Sequence, residues 1–123
     1  MPLEENKVLV RRFFAEVLNP WNVEALADFL VPNSFFSGFM QKFVAEGARG
    51  IPDAETTINE LFGENDKVTA CTTQRGTNSG PLLGHPPTHK TVTLNAIWVF
   101  TIRDGKVISM QFQSDMAQQL WLS

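Results

Sequence analysis

Through the first eighteen residues the apolar positions Val10, Phe13, Phe14, Val17 and Leu18 recur at steps of three and four, with Lys7, Arg11, Arg12 and Glu16 between them. That pattern predicts one amphipathic helix from Leu3 to Leu18. The next stretch, NPWNVEALADFLVP, opens on a proline break, offers Asn22 as an N-cap and carries a stripe of Val23, Leu26, Ala27 and Leu30 before Pro32 stops it. A short second helix is expected there. A third follows, capped by Ser34 or Ser37, with Phe36, Met40, Phe43 and Val44 at helical spacing and Gly47 and Gly50 closing it ahead of Pro52.

Beyond Pro52 the period of the apolar positions falls from about 3.6 to about 2, the signature of strands. AETTINELF and KVTACTTQRGT read as a hairpin joined by the turn GEND. From 92 to 102, Val92, Leu94, Ala96, Trp98, Phe100 and Ile102 share one face, which should be buried, and Thr93, Asn95, Ile97, Val99 and Thr101 the other. RDG then leads into residues 106 to 114, where Ile108, Met110 and Phe112 face one way and Ser109, Gln111 and Gln113 the other. Directly opposed residues lie on the same face, so a two-residue Asp104-Gly105 turn would set Trp98 beside Gln111 and split the core. A three-residue loop, Arg103 to Gly105 with Gly105 left-handed in a bulge, is therefore expected, pairing Phe100 with Ile108, Trp98 with Met110 and Ala96 with Phe112. The elements add up to an α+β fold: three N-terminal helices packed on a curved antiparallel sheet of about four strands. Such layers leave a cone-shaped pocket, here walled by Trp98, Met110, Phe112 and the helical phenylalanines.

A length of 123 residues fits a single domain spanning 1–123. With 43% hydrophobic and 19% charged residues the composition is globular, and no apolar run approaches the roughly 20 residues of a membrane span. MPLEENKVLV carries acidic residues where a signal peptide is basic, so a cytoplasmic location is the default expectation. A net charge of -3, with no basic cluster larger than Arg11-Arg12, argues against nucleic acid or an anionic membrane as partner. Ten Phe and three Trp stand beside no Tyr, which removes the phenol as a general acid. Proton transfer is left to carboxylates, His85, His89, lysines or Cys71.

Each candidate has a bland reading beside a chemical one. His85 and His89 lie four apart in a proline-rich loop, with no third or fourth ligand for a metal, and read as exposed residues at the pocket mouth or as a catalytic group there. Cys71 sits mid-strand without an elbow or helix N-terminus, as a structural thiol does. Arg75 has the parity of Cys71 and Thr73, and either reaches a carbonyl or enolate in the pocket or pairs with a surface carboxylate. Asn95, Gln111 and Gln113 share the outer face with Ile97 and Val99, a mixture that suits a homodimer interface. Asp115, just past a strand end, is either a cap or a desolvated general base beside Trp98 and Phe112.

The order NKVLVRRFFAEVLN, IPD, NDKVTACTTQRGTNSG, LLGHPPTHKTVTLNAIWVFTIRDGKV and a closing Asp115 resembles the SnoaL-like polyketide cyclases, members of the nuclear-transport-factor-2-like α+β roll superfamily. The match runs from about Asn6 to Asp115. The resemblance implies a cone-shaped pocket, dimers through the outer sheet face, no metal or organic cofactor, and intramolecular aldol ring closure by a pocket Asp with a His nearby. Other relatives on this fold hydrolyse epoxides or isomerise steroids and terpenoids, so the fold alone does not fix the chemistry. The cyclases' pocket His falls at Trp98 and their acid/base Asp at Phe112, neither of which can move a proton, and Asn78 stands where a His is usual in the glycine-threonine-histidine turn. Asp53 and Asp115 are retained.

The expected function is that of a cofactor-independent cyclase or isomerase acting on an apolar, carbonyl-bearing polyketide- or terpenoid-like intermediate. Asp115 or His85 would be the base, Arg75 or Asn78 would polarise the carbonyl, and Trp98, Phe112, Met110 and Asn78 would hold the substrate. The alternatives are a non-catalytic protein binding a small hydrophobic ligand in the same pocket, and a structural dimer with a filled core.

Overall fold

The structure, a computed structural model, describes residues 2–31 and 35–122. Helix α1 (Pro2–Phe13) runs directly into a π turn, Phe14–Leu18. Glu4 and Glu5 in the first turn of α1 and Arg11 and Arg12 in its last complement the helix dipole. Arg12 Nε donates to the Glu16 carboxylate at 2.8 Å across the junction. Val10, Phe13, Phe14, Val17 and Leu18 are all buried, as their spacing predicts.

The expected second helix is a single 3-10 turn, Glu24–Asp28, with the Asn22 side chain accepting the Ala25 N–H at 3.3 Å. It stays short because the chain leaves to pair with the sheet: Phe29 O accepts the Val107 N–H at 2.7 Å and Leu30 forms a parallel bridge to Val107. Helix α2 spans Phe35–Gly50 and holds Ser37 as a buried internal residue rather than a cap. The stop and cap expected at Pro32 and Ser34 lie outside the described residues.

Strands β1 (Glu55–Glu64), β2 (Lys67–Thr77), β3 (Thr91–Arg103) and β4 (Lys106–Ser114) form one antiparallel sheet in sequence order. Lys67 pairs with Glu64, so the first turn is Asn65-Asp66 alone, with Asn65 at φ 57°, and Gly63 and Glu64 belong to β1 rather than to the turn. The β3–β4 connection also corrects the expectation. Asp104 and Gly105 both have positive φ, 50° and 73°, giving a two-residue turn whose twist suits a hairpin. The parity problem is solved inside the strand: Ile102 pairs with Val107 and Thr101 with Ser109, so Ile108 is an extra residue in a bulge. Trp98 consequently lies opposite Phe112, Phe100 opposite Met110 and Ala96 opposite Ser114, two residues further along β4 than expected.

Along β3 the inner face is as the alternation predicts, with Val92, Leu94, Trp98, Phe100 and Ile102 buried and Ala96 half-buried, and Gln111 and Gln113 are exposed on the other side; at the start of β4 the bulge buries Val107 in place of the expected Ile108. A short helix α3 (Met116–Leu120), which the sequence pattern did not announce, buries Leu120 against the sheet's far end. Two apolar clusters result. The larger joins α1, the π turn, α2 and the hairpin around Phe13, Phe14, Phe29, Met40, Trp98 and Phe100, and the smaller gathers Ile51, Ala54, Leu82, Val92, Leu94 and Leu120. No helix among the described residues is long and apolar enough to cross a membrane.

Candidate functional site

A cavity of about 70 Å³ opens where the two clusters meet, between α2, the inner faces of β2 to β4 and the loop that joins β2 to β3. Drug-sized ligand pockets run to several hundred Å³, so the cone expected from the layers is largely filled. Its filling is aromatic: Trp98 has Phe112 at 4.4 Å, Phe14 at 5.3 Å and Phe43 at 5.9 Å between ring centroids. Beyond these rings Leu18, Ile51, Leu82, Leu94 and Met116 continue an apolar lining, broken by Thr56, Thr72, Gln74, Ser114 and Glu46.

One wall depends on a glycine inside a helix. Trp21 enters with φ 52°, donates its indole N–H to Ile51 O at 3.0 Å and lies directly against Gly47 of α2. A methyl at Gly47 would overlap the indole ring, so the bare backbone is what lets Trp21 reach the cavity.

The loop between β2 and β3 has a rigid base and a small tip. Asn78 is fully buried and every hydrogen-bonding direction of its amide is engaged. Nδ2 donates to Gly50 O (3.0 Å) and Gly80 O (2.9 Å), while Oδ1 accepts from Thr88 N (2.9 Å) and Thr88 Oγ1 (3.0 Å). Next to it Asp53 Oδ1 accepts the Thr77 N–H at 2.8 Å, and that backbone donor holds the Asp53 carboxyl below its ordinary pKa. At the tip Leu82 and His85 exchange backbone bonds of 3.0 and 2.9 Å, with Leu83 and Gly84 at positive φ. Leu82 is buried over Gly50, the Leu83 N–H donates to Glu46 Oε1 at 2.9 Å, and Glu46 Oε2 meets Arg49 at 3.1 Å. His85 stacks on Trp121 with ring centroids 4.2 Å apart.

Of the residues singled out from the sequence, the structure brings Trp98 and Phe112 to the cavity wall. Met110 lies further down the hairpin opposite Phe100 and packs against the larger cluster. Asn78 is the tie of the loop base. Arg75 is exposed, opposite Thr93 on the outer face, because the parity it shares with Cys71 is that of Ile97. Asp115 Oδ1 accepts the Asn95 N–H at 2.8 Å and Oδ2 the Asn95 side-chain amide at 3.4 Å, so its carboxylate is turned to the outer edge of β3. Its neighbours Ser114 and Met116 line the cavity instead. His85 and His89 are exposed. Glu46 is the ionisable side chain lining the cavity among the described residues, and the sequence reading passed it over. Thr72 and Gln74 were legible: they continue the inward parity of Val68 and Ala70 along β2. Trp21, Gly47 and Leu82 had no local signal, since chain reversals bring them there. Among the described residues no three His, Cys, Asp or Glu side chains come together as a metal site.

A helical layer over a four-stranded antiparallel sheet, with an apolar cavity between the layers, defines an α+β roll. This chain belongs to the SnoaL-like polyketide cyclase family, whose sequence profile matches residues 8–120. Among solved structures it is similar to a protein of Jannaschia sp. CCS1 described as a SnoaL-like polyketide cyclase, with 26% identity and a TM-score of 0.82, covering 93% of this chain and 88% of that one. TsrD from Streptomyces laurentii superposes with a TM-score of 0.83 at 24% identity over 98% of this chain and 97% of its own. AclR from Streptomyces galilaeus, described as a hydroxylase, gives 0.80 at 24% identity over 93% of this chain and 77% of its own. No curated protein sequence matches this one.

Proposed function

We propose that the chain is a cofactor-independent cyclase or isomerase acting on a small, apolar, carbonyl-bearing ring precursor of polyketide or terpenoid type. The observation that carries this reading is the cavity itself, an aromatic slot formed by Trp98, Phe112 and Phe43 with one carboxylate, Glu46, at its mouth. Family membership supports cyclase-type chemistry at the coarse level. By position the proton-abstracting role passes from Asp115 to Glu46, whose Oε1 would be free for it once a ligand displaced the Leu83 N–H. That displacement would also widen the slot, as a fused-ring ligand such as 1-tetralone requires.

In the first step an α-proton of the ketone moves to the Glu46 carboxylate and the carbonyl oxygen takes the negative charge. Proton exchange at that carbon reports the step without knowledge of the natural substrate. In D2O the protein should accelerate deuterium incorporation at the α-carbon of 1-tetralone above the buffer rate, and Glu46→Gln should lose that acceleration by about 100-fold, the scale of a general base. Acceleration unchanged in Glu46→Gln would refute Glu46 as the base.

A second reading, a non-catalytic protein binding a small hydrophobic ligand, is favoured by one specific fact: both Glu46 oxygens already have partners. Quenching of Trp98 emission by 1-tetralone without any exchange would decide for it. As partner we propose a second copy of the chain on the outer sheet face, where Ile97 and Phe62 are about half exposed. Ile97→Asp should then turn a sedimenting dimer into a monomer, and a parent protein that sediments as a monomer at micromolar concentration would refute the pairing.

A further inference from the structure

The inward row of β2 reads Val68, Ala70, Thr72, Gln74, so it turns from apolar to polar where the aromatic packing gives way to the cavity. Thr72 stands at that boundary. It is 3% exposed, lines the cavity, and accepts the indole N–H of Trp98 on its Oγ1 at 3.0 Å. A threonine hydroxyl has one proton to give as well as lone pairs to receive with. Satisfying Trp98 explains the acceptor half and leaves the donor half unexplained, since no acceptor for the Thr72 hydroxyl proton is found among the described residues. A buried donor without an acceptor is costly, and the site to which it opens is the cavity.

Its surroundings sharpen its use. Ala96, the residue paired with Thr72 on β3, also lines the cavity, so the residue directly opposite the hydroxyl is small. The indole N–H arriving at Oγ1 polarises the O–H and narrows the directions left for its proton, in an environment kept apolar by Phe14, Phe43 and Phe112 around the Trp98 ring. Thr56 repeats the arrangement more weakly, accepting the Gln74 amide N–H at 3.2 Å.

We infer that Thr72, oriented by Trp98, is the donor that binds the carbonyl oxygen of a neutral ligand in this cavity. The inference rests on the apolar-carbonyl reading above and deepens it. It names the group that would hold the oxygen as its charge grows, in the manner of an oxyanion site. It also sets the ligand chemistry: an uncharged ring compound bearing a ketone, preferred over the hydrocarbon of the same shape.

Two probes of matched shape, 1-tetralone and tetralin, test this on the intact protein. Bound 1-tetralone labelled with carbon-13 at the carbonyl should show its C=O stretch shifted down from the value in an alkane solvent. Thr72→Val, which keeps the shape, should abolish that shift and weaken the ketone about five- to tenfold while leaving tetralin unchanged, and Thr72→Ser should restore both. Trp98→Phe, which removes the indole donor but leaves the hydroxyl, should shrink the shift without abolishing it. A bound ketone at the alkane-solvent frequency in the unmodified protein overturns the assignment even if Thr72→Val fails to fold. An equal loss of both probes in Thr72→Val also overturns it, as a packing effect. If neither probe binds the unmodified protein, the apolar-ligand reading falls and takes this one with it. If tetralin binds and the ketone gains nothing, only the Thr72 assignment falls.

Discussion

The two ends of the space between helices and sheet are built on opposite principles. At the narrow end Phe13 meets Phe14, Phe29 and Phe100 edge to face at 6.3, 5.6 and 5.7 Å, an aromatic block buried on all sides. At the wide end the rings of Trp21, Phe43, Trp98 and Phe112 line a cavity with polar Thr72 and Gln74, with Leu82 on a loop tip, and with Met116 just past the last strand. The first end is continuous in secondary structure and the second is assembled from chain reversals. Stability and ligand binding should therefore reside in different residues, although the two ends share the strands β2 to β4.

Phe13→Ala is the largest blow that comparison predicts. Removing a fully buried ring should cost about 3–5 kcal/mol in denaturant unfolding and leave the affinity of the folded fraction for 1-tetralone where it was. An equal loss of affinity would show that the two ends are one unit. Gly47→Ala should give the reverse profile. Its methyl displaces the Trp21 ring, at a cost of about 1–3 kcal/mol in stability but with loss of most ligand binding, read from the quenching of tryptophan emission. Smallest is Asp53→Asn at the loop base. The Asp53 carboxyl is held below its ordinary value by the Thr77 N–H, so its contribution is complete above the unfolded-state value and disappears as pH falls through the lowered one. The difference in Tm between parent and Asp53→Asn should accordingly be present at neutral pH and close in acid. A difference that grows on acidification would contradict the sign.

The narrow end was the part legible beforehand, and the reason is periodicity. Val10, Phe13, Phe14, Val17 and Leu18 on a helix and the even residues of β3 declare their faces through neighbours close in sequence. The hairpin shows the limit of that method. Parity correctly demanded that Trp98 and Phe112 share a face, but a longer turn and a bulge at Ile108 satisfy the demand equally well, and the actual register follows only from the positive φ at both Asp104 and Gly105. The cavity was read less well because its residues meet across long stretches of chain. Glu46 takes its partner at Leu83 and Asn78 its partner at Gly50, and no local pattern marks either contact. Asp115 drew attention for a resemblance in sequence, while its carboxylate is committed to Asn95.

Asn78 has a consequence for how the loop answers to acidity. An imidazole at this position that accepted the Thr88 N–H on one nitrogen would lose that lone pair on protonation and have to release the strand-to-loop junction. The carboxamide has no such alternative state: it presents the same two donors and the same acceptor to Gly50, Gly80 and Thr88 in acid and in base. The Asn78 tie is in this sense proton-blind. The acid-sensitive contact at the loop base is therefore its neighbour, the bond from Thr77 N–H to Asp53, and not the carboxamide tie.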